Sequence, residues 1–258
     1  MKKAVLCYTA PLQFPHWQGG KEEGTATLDF QNPSVLCSIY EQEQKPLSEI
    51  ANNKQLFDLP QGWEWISLGY IVSVMDAGWS PACLSIPSHN NDEWGILKTT
   101  AVQVMKYLEF ENKMLPKNKE PRPQYEVKVG DILITRAGPK NRVAISCLVE
   151  ATRPKLMISD KVIRFHLVEV GIHERFISLC LNAGTTAEYL ERAKSGMAES
   201  QMNISQDKLR LAPIPLCPIA EQHRIVAKVD ELMALCDALK ARLNEAQTTQ
   251  IHLADTIV

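Results

Sequence analysis

The segment Gly130-Asp131-Ile132-Leu133-Ile134-Thr135-Arg136-Ala137-Gly138 sets an arginine at the end of a short apolar run, just before a glycine turn. A run of that length, bounded by glycines, reads as a buried strand. A guanidinium at its end stands on a rigid platform. It can fork onto the acceptors of guanine in the major groove or pair with a phosphate. The plainer reading is a strand-end cation held by a local carboxylate. Loop 195–203, Ser-Gly-Met-Ala-Glu-Ser-Gln-Met-Asn, offers the amides of Gln201 and Asn203, which suit the edge of adenine. By composition alone the plain surface loop is the favoured reading. Lys98, Thr99 and Gln103 in Gly95–Gln103, with Lys140 and Arg142 beyond the glycine turn, complete the set with phosphate-binding or base-reading chemistry.

Nothing comparable points to catalysis. The six histidines (His16, His89, His166, His173, His223, His252) are scattered. There is no HExxH, Gly-x-Ser-x-Gly, phosphate loop or dinucleotide fingerprint, and no Asn-Pro-Pro-Tyr or Asp-Pro-Pro-Tyr motif. His166, His173 and Cys180 share a seven-residue rhythm, but the first falls on a predicted strand and the others on a helix. No metal site and no cofactor are therefore expected. A cysteine-dependent hydrolase using Cys180 is the weakest reading considered. The seven cysteines are odd in number and form no CxxC pair, as expected of free thiols in a reducing cytoplasm.

At 258 residues, 45% apolar and 22% charged, the chain can bury one large core without staples. No run of 18 apolar residues occurs, so no membrane span is expected. The N-terminus lacks a signal-peptide core, and secretion is not expected. The net charge of −2 hides an uneven distribution. Residues 135–164 hold Arg136, Lys140, Arg142, Arg153, Lys155, Lys161 and Arg164 against Glu150 and Asp160. A local patch of that kind can bind phosphates in a nearly neutral molecule, although most such patches are solvated surface.

These residues need elements to position them. Residues 1–57 read as an irregular arm rich in turn formers. The Pro60–Gly62 turn then delivers Trp63 and Trp65 onto one face of a strand, as anchors of the domain. Strands are predicted at 132–136 and 143–149. Val162–Val168 reads as a half-buried strand, with Ile163, Phe165 and Leu167 on one face and Arg164 and His166 on the other. Two helical pieces hinged at Gly184 cover 174–194, and Pro213, Pro215 and Pro218 mark an extended linker. Strands followed by helices indicate an α+β domain.

Beyond Pro218 an apolar residue recurs at alternating steps of four and three: Ile225, Val229, Leu232, Cys236, Leu239, Leu243, Ala246, Gln250, Leu253. This is a heptad seam with one polar member, the mark of a long coiled-coil helix that docks a partner or spaces two parts.

Five segments, 59–71, 95–103, 129–138, 202–218 and 219–243, resemble in sequence and order the specificity subunits of type I restriction–modification enzymes. The stretch Pro218-Ile-Ala-Glu-Gln-His-Arg-Ile-Val226 carries most of the resemblance, which runs from about Asp58 to Val258. It implies a mixed-sheet target-recognition domain over 58–217 and a helical spacer, dimerisation and docking region over 218–258. Its implied partners are double-stranded DNA, methyltransferase (M) subunits and, through them, the restriction (R) subunit. Family members carry two recognition domains and two helical regions. This chain has room for one of each, and so looks like a half subunit that pairs with itself or another half. The expected DNA contacts are Lys98, Thr99, Gln103, Arg136, Lys140, Arg142, Gln201 and Asn203. The expected dimer or partner seam is Ile225, Val229, Leu232, Cys236, Leu239 and Leu243. The competing expectation is a scaffold that binds no DNA and acts through its helix.

Overall fold

The structure, a computed structural model, describes residues 57–168 and 171–257. The expected N-terminal arm lies, apart from Phe57, outside the described residues. The first elements are β1 (Glu64–Ser67), a short helix α1 (Leu68–Ile71) and β2 (Val72–Ala77). Then come β3 (Gly95–Leu97), β4 (Val102–Gln103), β5 (Lys106–Tyr107), β6 (Asn112–Met114) and β7 (Ile132–Thr135). They are followed by β8 (Ala137–Gly138), β9 (Ser146–Leu148), β10 (Leu156–Met157) and β11 (Val162–Leu167). Helices α2 (Glu174–Asn182) and α3 (Gly184–Ala193) lead to β12 (Met202–Asn203), α4 (Gln206–Arg210), β13 (Pro213–Leu216) and α5 (Ile219–Ile257). The expected α+β class with a long terminal helix is observed.

The central sheet is antiparallel in the order β2-β11-β7-β9. Ile132 and Ile134 on β7, with Ile163 and Phe165 on β11, face a core closed by Phe176, Ile177 and Leu181 of α2. Leu133 and Val162 point the other way, into a second core with Leu97, Val102, Leu156 and Ile158. A sheet covered on both faces needs an unbroken apolar strand, which is why 132–134 does not alternate. The second sheet, β10-β3-β6, is mixed, with β10 parallel to β3 and β6 antiparallel to it.

Three expectations change. On β11 the polar face is covered at Arg164, which is only 8% exposed, while His166 stays partly exposed. Arg164 tolerates burial because its guanidinium is satisfied. It grips both carboxylate oxygens of Asp76 at 3.1 and 2.7 Å and donates to the carbonyls of Glu126 and Gln124. Nearby Asp131, fully buried, accepts from Lys128 N at 2.9 Å and contacts His166. Second, Pro213–Leu216 is a strand and not a linker, pairing antiparallel with β1 from Glu64↔Leu216 to Ser67↔Pro213. On such a two-stranded edge a missing proline N–H costs little. Third, the tryptophans part. Trp63 packs on the main core, whereas Trp65 stands edge-on to Phe57 and donates Nε1 to its carbonyl. The break between α2 and α3 falls where expected, at Gly184, whose φ is +60°.

The first three turns of α5 are docked. Gln222, buried, accepts from His173 N at 2.9 Å and donates to Cys217 O at 2.8 Å. Val226 is buried, and Asp230 takes Arg175 at 2.5 Å. From 231 to 250 every residue is exposed. The helix therefore leaves the head as a projecting rod, with about 1.5 Å of rise per residue. Ile225 and Val229 lie partly buried, while Leu232, Leu239 and Leu243 are 48%, 55% and 61% exposed and Cys236 is exposed too. No described helix is long and apolar enough to cross a membrane.

Candidate nucleic-acid interface

The connection from β7 to β9 is held rigid around Arg136. Thr135, fully buried, donates its hydroxyl to Arg142 O, and its backbone oxygen accepts from Ala144 N at 2.7 Å. Ala144 accepts a left-handed φ of +65° to close this turn. Between these ties β8 pairs with β12, Asn203 opposite Ala137 and Met202 opposite Gly138, and Ile204 N donates to Arg136 O at 2.9 Å. On its other side Arg136 N donates to Lys161 O at 2.9 Å. Arg136 is thus flanked by Lys161 at the start of β11 and by the strand carrying Asn203. Its own side chain makes no ion pair or hydrogen bond among the described residues, so the local carboxylate of the plainer reading is missing.

Lys161 also lines a cleft of about 530 Å³ together with Ser80, Cys83, Lys98, Thr99, Lys113 and Ser159. Among the described residues no carboxylate lines it. Two stand beside it: Glu111, bonded to Lys98 at 3.4 Å and to the Thr100 hydroxyl at 2.6 Å, and Asp160, which holds Ser80. The Thr100 hydroxyl bond, with Lys98, holds the Glu111 carboxyl below the usual carboxylate range. Lys113 and Lys161 have no ion-pair partner among the described residues. The cleft, through Lys161, and the 137–138/202–203 ribbon, through Ile204 N, each connect to the backbone of Arg136.

The other expected contacts divide. Gln201 and Asn203 are exposed on the ribbon and the loop before it. Lys140 is exposed too, but pairs with Glu199 at 2.9 Å, which raises its pKa. Arg142 turns inward. Its guanidinium donates to Thr99 O at 2.9 Å, Val102 O at 2.8 Å and Gln103 Oε1 at 3.1 Å. Gln103 in turn donates to Thr100 O at 2.7 Å. These two residues knit segment 99–103 to the turn at 140–142, which places Lys98 and Thr99 on the cleft wall. Lys113 and Lys161 were not among the expected contacts. Lys161 could have been suspected from its place next to Arg136 in a β7–β11 pair, but nothing in the sequence places Lys113 beside it.

A thiol nucleophile is disfavoured by position. Burial pushes the Cys180 thiol up to about 12, so it stays protonated at neutral pH. His166 has the buried Asp131 behind it, yet among the described residues no hydroxyl or thiol side chain bonds its ring. Among the described residues no three histidine, cysteine or acidic side chains cluster as a metal site would require.

Comparison with known proteins places the chain in a family. Residues 86–248 match the family described as Type I restriction modification DNA specificity domain, and the chain belongs to it. It is 61% identical over 215 residues to the Type I restriction enzyme EcoEI specificity subunit of Escherichia coli, covering 83% of this chain and 36% of that subunit. Two solved structures share the fold. One, solved for complex assembly and conformational transition of the type I R-M system, gives a TM-score of 0.54 at 21% identity over 84% of this chain and 50% of that one. The HsdS subunit from Thermoanaerobacter tengcongensis gives 0.51 at 22% identity over 80% and 46%. The chain thus spans about a third to a half of the relatives it matches.

Proposed function

We propose that this chain is the non-catalytic, sequence-specific DNA recognition component of a type I restriction–modification complex, working in the cytoplasm and reading one half of a bipartite site. The observation that carries the reading is Arg136, whose side chain is unpaired among the described residues, set between Lys161 of the cleft and the exposed Asn203 of the ribbon. Lys98, Lys113 and Lys161 hold phosphates, and Arg136, Gln201 and Asn203 address base edges. Arg142 and Gln103 position the cleft wall and do not touch DNA. The projecting helix favours a docking role: its exposed seam is buried by a second copy or another half subunit, and the assembled rods engage the methyltransferase subunits. The separation of head and rod supports the two roles independently. The test is an anisotropy titration of the chain on duplex DNA at stepped salt. Three cleft lysines on phosphates give a log–log slope of about −3. A slope near zero, or no binding, would leave only the scaffold reading.

A further inference from the structure

We propose that Met197 is a specificity-determining contact, whose thioether chain packs on the C5-methyl of a thymine in the major groove beside Arg136 and Asn203. This rests on the DNA-recognition reading above. The loop that carries Met197 is stiffly mounted. Its mouth is closed by Ser195 N donating to Asn203 O at 2.8 Å and Asn203 N donating to Ser195 O at 2.7 Å. The Ser195 hydroxyl adds a bond to Asn203 Oδ1 at 3.2 Å. Inside the loop Gln201 N donates to Ala198 O at 2.9 Å. On its flank Lys140 N donates to Glu199 O at 2.7 Å, and the two side chains pair at 2.9 Å. The turn is so tight that a Cβ at position 196 would lie 2.4 Å from Gln201 O, which only glycine avoids.

On this mount Met197 is 106% exposed, against 66% for the next most exposed large apolar side chain of the described residues, Val129. Its neighbours are Gly196 and Ala198, so the tip is one methionine wide. A slack loop would fold such a side chain back onto its own apolar surface; these ties hold it out in water instead. An uncovered apolar probe beside an arginine and an asparagine suited to major-groove edges matches the one apolar feature of that groove, the thymine methyl. Methionine is soft and unbranched, and adapts to such a target without exact shape matching. Glu199, the acidic group nearest the tip in sequence, is neutralised by Lys140, so the approach to DNA is not opposed.

The test begins by selecting the tightest-bound duplex from a randomised library with the full chain. Each thymine of that duplex is then replaced by uracil, which removes only the methyl. We expect one position at which uracil weakens wild-type binding about four-fold, the worth of one buried methyl-sized group. That sensitivity should vanish in Met197→Ala and survive in Met197→Leu, with the thermal midpoint unchanged in both. No sensitive thymine, a selected site without thymine, or a sensitivity that persists in Met197→Ala overturns the inference while leaving DNA recognition standing. Failure to enrich any sequence overturns the functional reading itself.

Discussion

Arg136 and Arg142 lie six residues apart on one connection, and replacing each with alanine should give opposite outcomes. Arg142 supports three hydrogen bonds, to Thr99 O, Val102 O and Gln103 Oε1, from a half-buried position. Alanine there takes the guanidinium from Val102 O and leaves Thr99 O with the Val102 N–H alone. A charged hydrogen bond is worth about 1.5–3 kcal/mol, and a stranded buried acceptor costs about 1–3 kcal/mol. Some of that loss is recovered by water, because the site is not sealed. A net cost of about 3 kcal/mol lowers the thermal midpoint of a domain this size by about 6–12 °C. Lysine cannot restore it, since one ammonium does not span the three acceptors reached by two guanidinium nitrogens. The Arg136 side chain has no partner among the described residues, so Arg136→Ala should leave the midpoint within about 2 °C. It should instead cost about 1–3 kcal/mol of specific DNA binding and relax preference at one base.

Differential scanning calorimetry and anisotropy titration on one duplex read both variants. The reasoning fails if Arg142→Ala melts like wild type and reduces the salt slope by about one unit. That result would make Arg142 a phosphate contact, as its place in the basic stretch first suggested. It fails equally if Arg136→Ala melts many degrees early, since a structural partner would then have to exist.

Two further outcomes test other parts of the molecule. Leu239→Lys with Leu243→Lys should abolish self-association in sedimentation while sparing the head's melting temperature. Each leucine is worth about 1.5–3 kcal/mol when buried, and both are more than half exposed in the single chain; an unchanged sedimentation coefficient of a dimer would reject the seam. His173 caps α2, its Nδ1 accepting from Arg175 N at 3.3 Å, and desolvation, then the adjacent His223, lower its pKa from the ordinary value of 6.5. The unfolded chain then binds the extra proton first, so this contribution to stability is present above about pH 6.5 and is lost as pH falls toward the folded value. Wild type should lose melting temperature between pH 7 and pH 5.5, and His173→Asn, which keeps a capping acceptor, should lose less; identical profiles would refute this.

The residues that carried local form were legible. Gly184 marked the break between α2 and α3, the Ile132–Thr135 run marked a strand, and the seam after Pro218 marked the rod, because each depends on neighbours within a turn or two. Pro213–Leu216 was not legible as a strand, since its identity as one depends on pairing with Glu64–Ser67 some 150 residues earlier. The same distance problem governs the candidate site. Whether a cation is available to a ligand depends on which carboxylates or carbonyls the fold brings to it. The partner is 13 residues away for Lys98, 59 for Lys140 and 88 for Arg164. Of the seven basic residues in 135–164, Arg142, Arg153 and Arg164 hold backbone carbonyls of other segments, and Lys140 and Lys155 meet carboxylates. Arg136 and Lys161 remain, adjacent across β7 and β11. A basic stretch in one dimension thus resolves in three into a scaffold of inward-turned arginines. That scaffold spares two neighbouring cations, and their adjacency is fixed by strand register, which no count of charges along the chain contains.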